Sequence, residues 1–157
     1  MRRRYTAALE LIDAQVGLPL DTLAHSGSAD NTYVLNTSDH GERLGDHGLY
    51  QKSVFYEPAA RVPLLAAGPG IPRGESDATV EMSDLHPTLL ELAGVTASLP
   101  LDARSLGPVP HDPAVPHRAD TLSQLVTARC LRTERYKLID NVNDGAELYD
   151  RGADPTE

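Results

Sequence analysis

The stretch that most constrains this chain is residues 37–52, which read TSDHGERLGDHGLYQK. Residues 31–37, which lead into it, are rich in β-branched and aromatic side chains and follow a polar turn. This composition predicts a buried strand. The stretch therefore begins where a strand ends.

Asp39 and His40 come directly after this predicted strand, and Gly41 allows the backbone to turn sharply. Ligands of open α/β sheets bind at the carboxyl ends of strands, so the pair stands where chemistry is expected. A carboxylate beside an imidazole is a common pair of ligands for a divalent cation. The local sequence thus indicates a candidate metal site.

The same stretch belongs to a longer ordered series. SDHGERLGDHGL at residues 38–49 is followed by Lys52, by FYE at residues 55–57 and by RVPLL at residues 61–65. This series resembles the later, C-terminal part of the sulfatase family in the alkaline-phosphatase superfamily, as in bacterial arylsulfatase-like and choline-sulfatase-like members. Other branches of that superfamily share the Asp-His-Gly triplet, and the residues beyond Lys52 favour sulfatases.

The resemblance implies roles for three residues. Asp39 and His40 would bind the metal, Lys52 would contact the sulfate, and Asp39 would also help to deprotonate the nucleophile. A lysine aimed at a non-bridging oxygen stabilises developing negative charge, whereas a lysine on a loop is by default a solvated side chain. Ca²⁺ is the ion the resemblance implies, and Mn²⁺ or Mg²⁺ is compatible with the same two ligands.

The chain lacks the Cys/Ser-x-Pro-x-Arg motif whose cysteine or serine becomes the formylglycine nucleophile of sulfatases. Its single cysteine, Cys130, lies in ARCLRTER without the proline, so we interpret it as structural. The formylglycine is expected in a missing N-terminal part, and the chain alone is predicted to be inactive. We therefore expect a fragment of a sulfuric ester hydrolase that acts on a small sulfate ester.

Two alternatives stay open. Related members of the superfamily hydrolyse phosphonate or phosphate esters with similar Asp-His and Lys elements. A truncated chain could also persist as a non-catalytic remnant.

Two further features of the central stretch have local interpretations. The second triplet, Asp46-His47-Gly48, is either a second metal pair or a set of loop hydrogen bonds. Glu57 and Arg61 are expected to tie the loop to the body of the protein through ion pairs.

Before this stretch, apolar residues at spacings of three and four predict an amphipathic helix over residues 3–23 that buries one face. Pro19 predicts that the helix kinks or ends near Leu18. The apolar positions are Tyr5, Leu9, Ile12, Val16, Leu20 and Leu23.

After this stretch, residues 62–67 predict a second buried strand. A helix is expected to open at Ser83-Asp84 and to end at Gly94, and His86 is assigned to its surface. Residues 121–128 and 136–139 predict strands of a small antiparallel sheet.

The predicted fold class is α/β, a partial alkaline-phosphatase-like sheet with flanking helices plus a small C-terminal antiparallel subdomain. Residues 1–95 would form the C-terminal portion of the catalytic domain. Residues 96–120 would form a Pro-rich connection, and residues 121–157 the start of the truncated subdomain.

Charge and hydropathy limit the partners. The net charge of −9 opposes binding to nucleic acid, which requires a basic face. No apolar run is long enough to cross a membrane. Arg2-Arg3-Arg4 is not followed by the apolar segment of a signal peptide, which leaves a cytoplasmic location as the default expectation and the compartment undetermined. The oligomeric state is not predicted.

Overall fold

The computed structural model describes residues 1–107, 114–155 and 157. Its α-helices are α1 (Arg2–Ser26), α2 (Glu57–Ala60) and α3 (Leu85–Leu92). Its strands are β1 (Val34–Thr37), β2 (Leu64–Ala67), β3 (Asp120–Gln124), β4 (Ala128–Thr133), β5 (Tyr136–Asn141) and β6 (Gly145–Asp150). The predicted α/β class is confirmed.

The division of the chain into residues 1–95, 96–120 and 121–157 stays a prediction. Residues 108–113 of the expected connection and residue 156 of the expected subdomain lie outside the described residues. No described helix is long and apolar enough to span a membrane.

Strands β1 and β2 form a two-stranded antiparallel sheet in which Val34 pairs with Ala67 and Thr37 with Leu64. The prediction that both strands are buried is wrong. β1 is half-buried and β2 is largely exposed, because no further strand of the described chain covers this sheet. Asn36 faces solvent, so its amide needs no buried partner.

Helix α1 contradicts the predictions that it ends near Leu18 and that it buries one face, whereas a kink at Pro19 stays a prediction. It continues through Pro19 to Ser26, where Gly27 adopts a left-handed conformation at φ 72°. Proline removes one backbone hydrogen bond, and on an exposed helix water can satisfy the carbonyl that is freed. None of its residues is buried, so the predicted apolar face lies open among the described residues.

Helix α3 behaves as predicted. A short 3₁₀ turn, Met82–Asp84, leads into it, and Gly94, the second residue after its end, adopts φ 67°. The backbone N–H of Val95 then donates to the carbonyl of Leu90 at 2.8 Å, which satisfies one of the carbonyls left free at a helix end. His86 is exposed on the helix surface, as expected.

The C-terminal strands form one antiparallel sheet in the order β3-β4-β5-β6. The strand predicted over residues 121–128 ends earlier than expected. β3 stops at Gln124, and Ala128 already belongs to β4. On the inner face, Ala128, Cys130 and Ile139 pack against Phe55 to form the main hydrophobic cluster. On the outer face, adjacent strands place four exposed leucines in one row, Leu122, Leu131, Leu138 and Leu148.

Candidate active site

Asp39 and His40 lie just beyond the end of β1, where Gly41 packs against α2. The Gly41 N–H donates to the carbonyl of Ala59 at 2.8 Å. A Cβ on residue 41 would lie 2.0 Å from the carbonyl oxygen of Pro58. A glycine is therefore needed for steric reasons. Gly41 does not adopt a positive φ, so the conformational reason inferred from the sequence does not apply.

The contacts of His40 identify which ring nitrogen carries the proton. Nε2 lies in hydrogen-bond contact with the Lys52 ammonium, which can only donate. Nε2 is therefore the acceptor, and Nδ1–H donates to the carbonyl of Gly41 at 2.9 Å. This tautomer turns the Nε2 lone pair toward the site, where the Lys52 ammonium occupies it in the structure. A cation bound by Nε2 would take the place of that hydrogen bond.

Asp39 completes the group. Its Oδ2 lies 3.3 Å from His40 Nε2, and its Oδ1 accepts the backbone N–H of His40 at 3.0 Å. The Asp39 side chain is 81% exposed and that of His40 is 36% exposed. The structure thus brings all three predicted site residues together at an open edge. Their roles as ligands and sulfate contact stay predictions.

This pair of donors fits a divalent cation only in part. Neighbouring ligands on a cation with bonds of about 2.0 to 2.5 Å lie about 3 Å apart, close to the observed separation of Asp39 and His40. Ca²⁺ and Mg²⁺ require at least six ligands. Within the described ranges, no group of three or more His, Cys, Asp and Glu side chains could hold a metal. Asp39 and His40 can therefore supply two ligands, and a complete shell needs others.

The loop between His40 and Lys52 is held by two residues that sequence reasoning passed over. Glu42 Oε1 accepts the backbone N–H groups of Gln51 at 2.8 Å and Leu44 at 3.2 Å. These hydrogen bonds, that of Gln51 first, lower the pKa of the Glu42 carboxyl below its ordinary value. Arg43 is only 5% exposed and donates to backbone carbonyls on the far side of the loop. A single arginine in a polar loop carries no sequence signal for burial.

The second triplet makes loop contacts. Asp46 Oδ1 accepts from the Arg2 guanidinium at 2.8 Å, which attaches the start of α1 to the loop. The His47 ring stacks on Tyr56 with centroids 4.5 Å apart. These contacts favour the loop interpretation over a second metal pair.

Beyond Lys52, a buried ion cluster attaches the loop to the C-terminal sheet. Lys137 on β5 is fully buried and contacts Glu57 Oε1 at 2.6 Å, Glu157 and the carbonyl of Phe55 at 3.0 Å. Arg132 also pairs with Glu57, at 3.2 Å. The predicted ion pair at Glu57 is confirmed.

The pKa of Glu57 reflects this cluster. Burial acts to raise the pKa of the Glu57 carboxyl, but the hydrogen bond and charge of Lys137 and the charges of Arg132 and Arg151 outweigh burial and lower the pKa. Arg61 is exposed. Cys130 is buried in the adjacent hydrophobic cluster, which agrees with its structural interpretation.

Comparison with known proteins agrees with the predicted family. The family model for sulfatases matches residues 1–95. A sulfatase from Formosa agariphila is 36% identical over 157 residues, which cover 98% of this chain and 31% of the relative. A choline-sulfatase from Rhizobium meliloti is 35% identical over 164 residues, which cover 99% of this chain and 32% of the relative.

A solved structure also matches. The phosphonate monoester hydrolase from Silicibacter pomeroyi superposes with a TM-score of 0.83 at 28% identity, over 91% of this chain and 33% of that protein. The chain thus spans about a third of the length of the relatives it matches. Its fold is part of the alkaline-phosphatase-like fold of sulfatases, as predicted. The chain belongs to the sulfatase family of hydrolases.

Proposed function

We propose that this chain carries one part of the active site of a sulfuric ester hydrolase. The observation that supports the proposal best is the contact of the Lys52 ammonium with His40 of the Asp39 and His40 pair, across a loop of eleven residues. A cation held by Asp39 and His40 would displace the Lys52 ammonium from His40 Nε2, and the ammonium would then be free to bind an anion beside the cation. A sulfate ester presents such an anion.

Lys52 would contact a non-bridging oxygen of the sulfate group and stabilise negative charge that builds up during cleavage. Asp39 and His40 would hold the divalent cation, for which Ca²⁺ is the expected ion. When bound, that cation supplies positive charge against the sulfate oxygens. The remaining ligands and the formylglycine nucleophile would come from outside these residues.

The proposal is tested in a complete fold. Residues 1–157 replace the corresponding stretch of the Rhizobium meliloti choline-sulfatase, and hydrolysis of choline sulfate and 4-nitrophenyl sulfate is measured. We expect the chimera to turn over at least one ester. Lys52→Met should lower kcat by about 10²- to 10³-fold, as expected for removal of one charge-stabilising donor. Arg61→Met is the control for loss of an exposed cation on the same segment. A chimera whose activity is unchanged by Lys52→Met would exclude the assigned role.

A phosphonate or phosphate ester hydrolase is the second candidate, because the chain superposes on the Silicibacter pomeroyi phosphonate monoester hydrolase. The same chimera discriminates between them. Faster cleavage of an aryl phosphonate monoester than of either sulfate ester would favour the second candidate. The isolated chain should cleave none of these esters.

A further inference from the structure

Lys52 contacts the His40 ring although a loop of the chain separates the two residues. The buried side chain of Arg43 explains how the loop brings them together. Arg43 lies on this loop, yet its side chain is almost completely excluded from water. A buried charged group needs partners that compensate for the lost hydration. Nε and Nη2 of Arg43 have partners, whereas its buried Nη1 has none among the described residues. Its partners therefore indicate what the burial achieves.

The partners of Arg43 are the two residues directly before Lys52. Its Nε donates to the carbonyl of Gln51 at 3.0 Å, and its Nη2 donates to the carbonyl of Tyr50 at 2.5 Å. The planar guanidinium can hold two adjacent carbonyls in one fixed geometry, which a lysine cannot reproduce.

Glu42 holds the same segment from the other side. Its Oε1 accepts the N–H of Gln51, so Gln51 is bound through both its N–H and its carbonyl. Gln51 adopts φ 69°, a left-handed conformation that is uncommon for a residue other than glycine. Such a conformation persists only where surrounding contacts hold it. It directs the chain so that the next residue, Lys52, meets His40.

We propose that Arg43, supported by Glu42, is a positioning residue that sets the Lys52 ammonium against His40. The proposal rests on the proposed function, in which Lys52 faces the sulfate group. Among the described residues, the Arg43 side chain makes no hydrogen bond to Asp39, His40 or Lys52, and it acts through the backbone of Tyr50 and Gln51. Its loss should release Lys52 and leave Asp39 and His40 in place.

The test measures the contact itself and does not depend on activity. In the isotopically labelled chain, nuclear Overhauser effects between the ε-methylene of Lys52 and the ring of His40 report their proximity. Arg43→Met keeps an apolar stem and removes every donor, and Arg61→Met is the matched control on an exposed arginine. We expect Arg43→Met to reduce the cross-peak at least fivefold and Arg61→Met to leave it unchanged. An unchanged cross-peak in Arg43→Met would overturn the proposal.

Two further variants separate positioning from folding. Amide signals of β4 and β5 show whether the C-terminal sheet is intact. If Arg43→Met unfolds this sheet, Glu42→Ala is used to test the proposal instead. We expect Glu42→Ala to weaken the same cross-peak between Lys52 and His40. An unchanged cross-peak in Glu42→Ala then overturns the proposal. Arg43→Lys returns one donor and should recover part of the contact. Full recovery of the contact in folded Arg43→Lys would show that the planar guanidinium is not required, and would overturn the argument from its geometry. Loss of the contact in Arg43→Met would stand even if the chimera failed to cleave sulfate esters.

Discussion

Replacement of Lys137 by methionine tests whether the buried ion cluster holds the C-terminal sheet to the segment after Lys52. Lys137 is fully buried and is the cation shared by Glu57 and Glu157. After its removal Glu57 keeps Arg132 at 3.2 Å and Arg151 at 3.5 Å. The Glu157 carboxylate, which is also fully buried, keeps a hydrogen bond from the backbone N–H of Glu57 at 3.0 Å.

Removal of one partner of a buried ion pair destabilises by about 3 to 5 kcal/mol, because the other charge stays buried without compensation. Domains of this size have free energies of unfolding of about 5 to 15 kcal/mol, so Lys137→Met should remove a large share of the stability. With a urea dependence of about 2 kcal/mol per M, the midpoint should fall by about 2 M.

The measurement is urea unfolding followed by far-UV circular dichroism and by tyrosine fluorescence, since the chain has six tyrosines and no tryptophan. Coincident transitions establish two-state behaviour. The matched control is Lys52→Met, the same substitution at an exposed lysine, which should change stability by less than about 0.5 kcal/mol. Adding Glu157→Gln to Lys137→Met should recover part of the loss, because it removes the uncompensated charge. A Lys137→Met chain as stable as the control, or a double variant less stable than Lys137→Met, would refute the argument.

Four other predictions follow from the described contacts. Gly41→Ala places a Cβ 2.0 Å from a backbone oxygen of α2 and should lower the free energy of unfolding by about 1 to 3 kcal/mol. The control is Gly17→Ala in α1, where an added Cβ has no atom within 4 Å, and this variant should raise the helicity measured by circular dichroism. Asp84 is fully buried, and its carboxylate accepts from backbone N–H groups and contacts His117 and Arg118, so Asp84→Asn should cost about 3 to 5 kcal/mol in urea unfolding. The pKa values of Glu57 and Asp84 lie below their ordinary values of 4.5 and 3.8 in the folded chain, in both because partners outweigh burial. The stability that both carboxylates contribute is therefore complete above about pH 4.5, and it should be lost as the pH falls through the folded pKa values. Glu57→Gln should reduce this loss of stability in acid titrations. Burial raises the pKa of the Cys130 thiol, so its reaction with a disulfide reagent at pH 8 should be at least tenfold slower in the folded chain than in urea.

The structure explains which of the sequence predictions succeeded. The placement of Asp39 and His40 after β1 and the end of α3 at Gly94 depend on contacts within a few residues, so composition and spacing are sufficient to predict them. The same holds for the strand predicted at residues 136–139, which begins β5 (Tyr136–Asn141). Such features are local, and a single sequence reports them.

Burial and partners depended on the rest of the fold. Nothing near Arg43 in the sequence distinguishes it from a solvated arginine, and its burial follows from how the loop closes on Tyr50 and Gln51. Lys137 finds Glu57 across eighty residues of chain. Helix α1 was predicted to bury one face, but it is exposed. Its periodicity could not predict this exposure, because a hydrophobic pattern indicates which side of a helix would be covered and not whether another element covers it.

The sequence by itself indicated the family, the approximate positions of helices α1 and α3 and of strands β1, β2, β3 and β5, and three candidate site residues. Only the tertiary structure decided that those residues meet, which ring nitrogen of His40 carries the proton, and which buried charges hold the loop in place. The physical reason is one of range. Local backbone preferences and motif spacing act over a few residues, whereas hydrogen bonds and ion pairs between distant segments form only when the whole chain has brought them together.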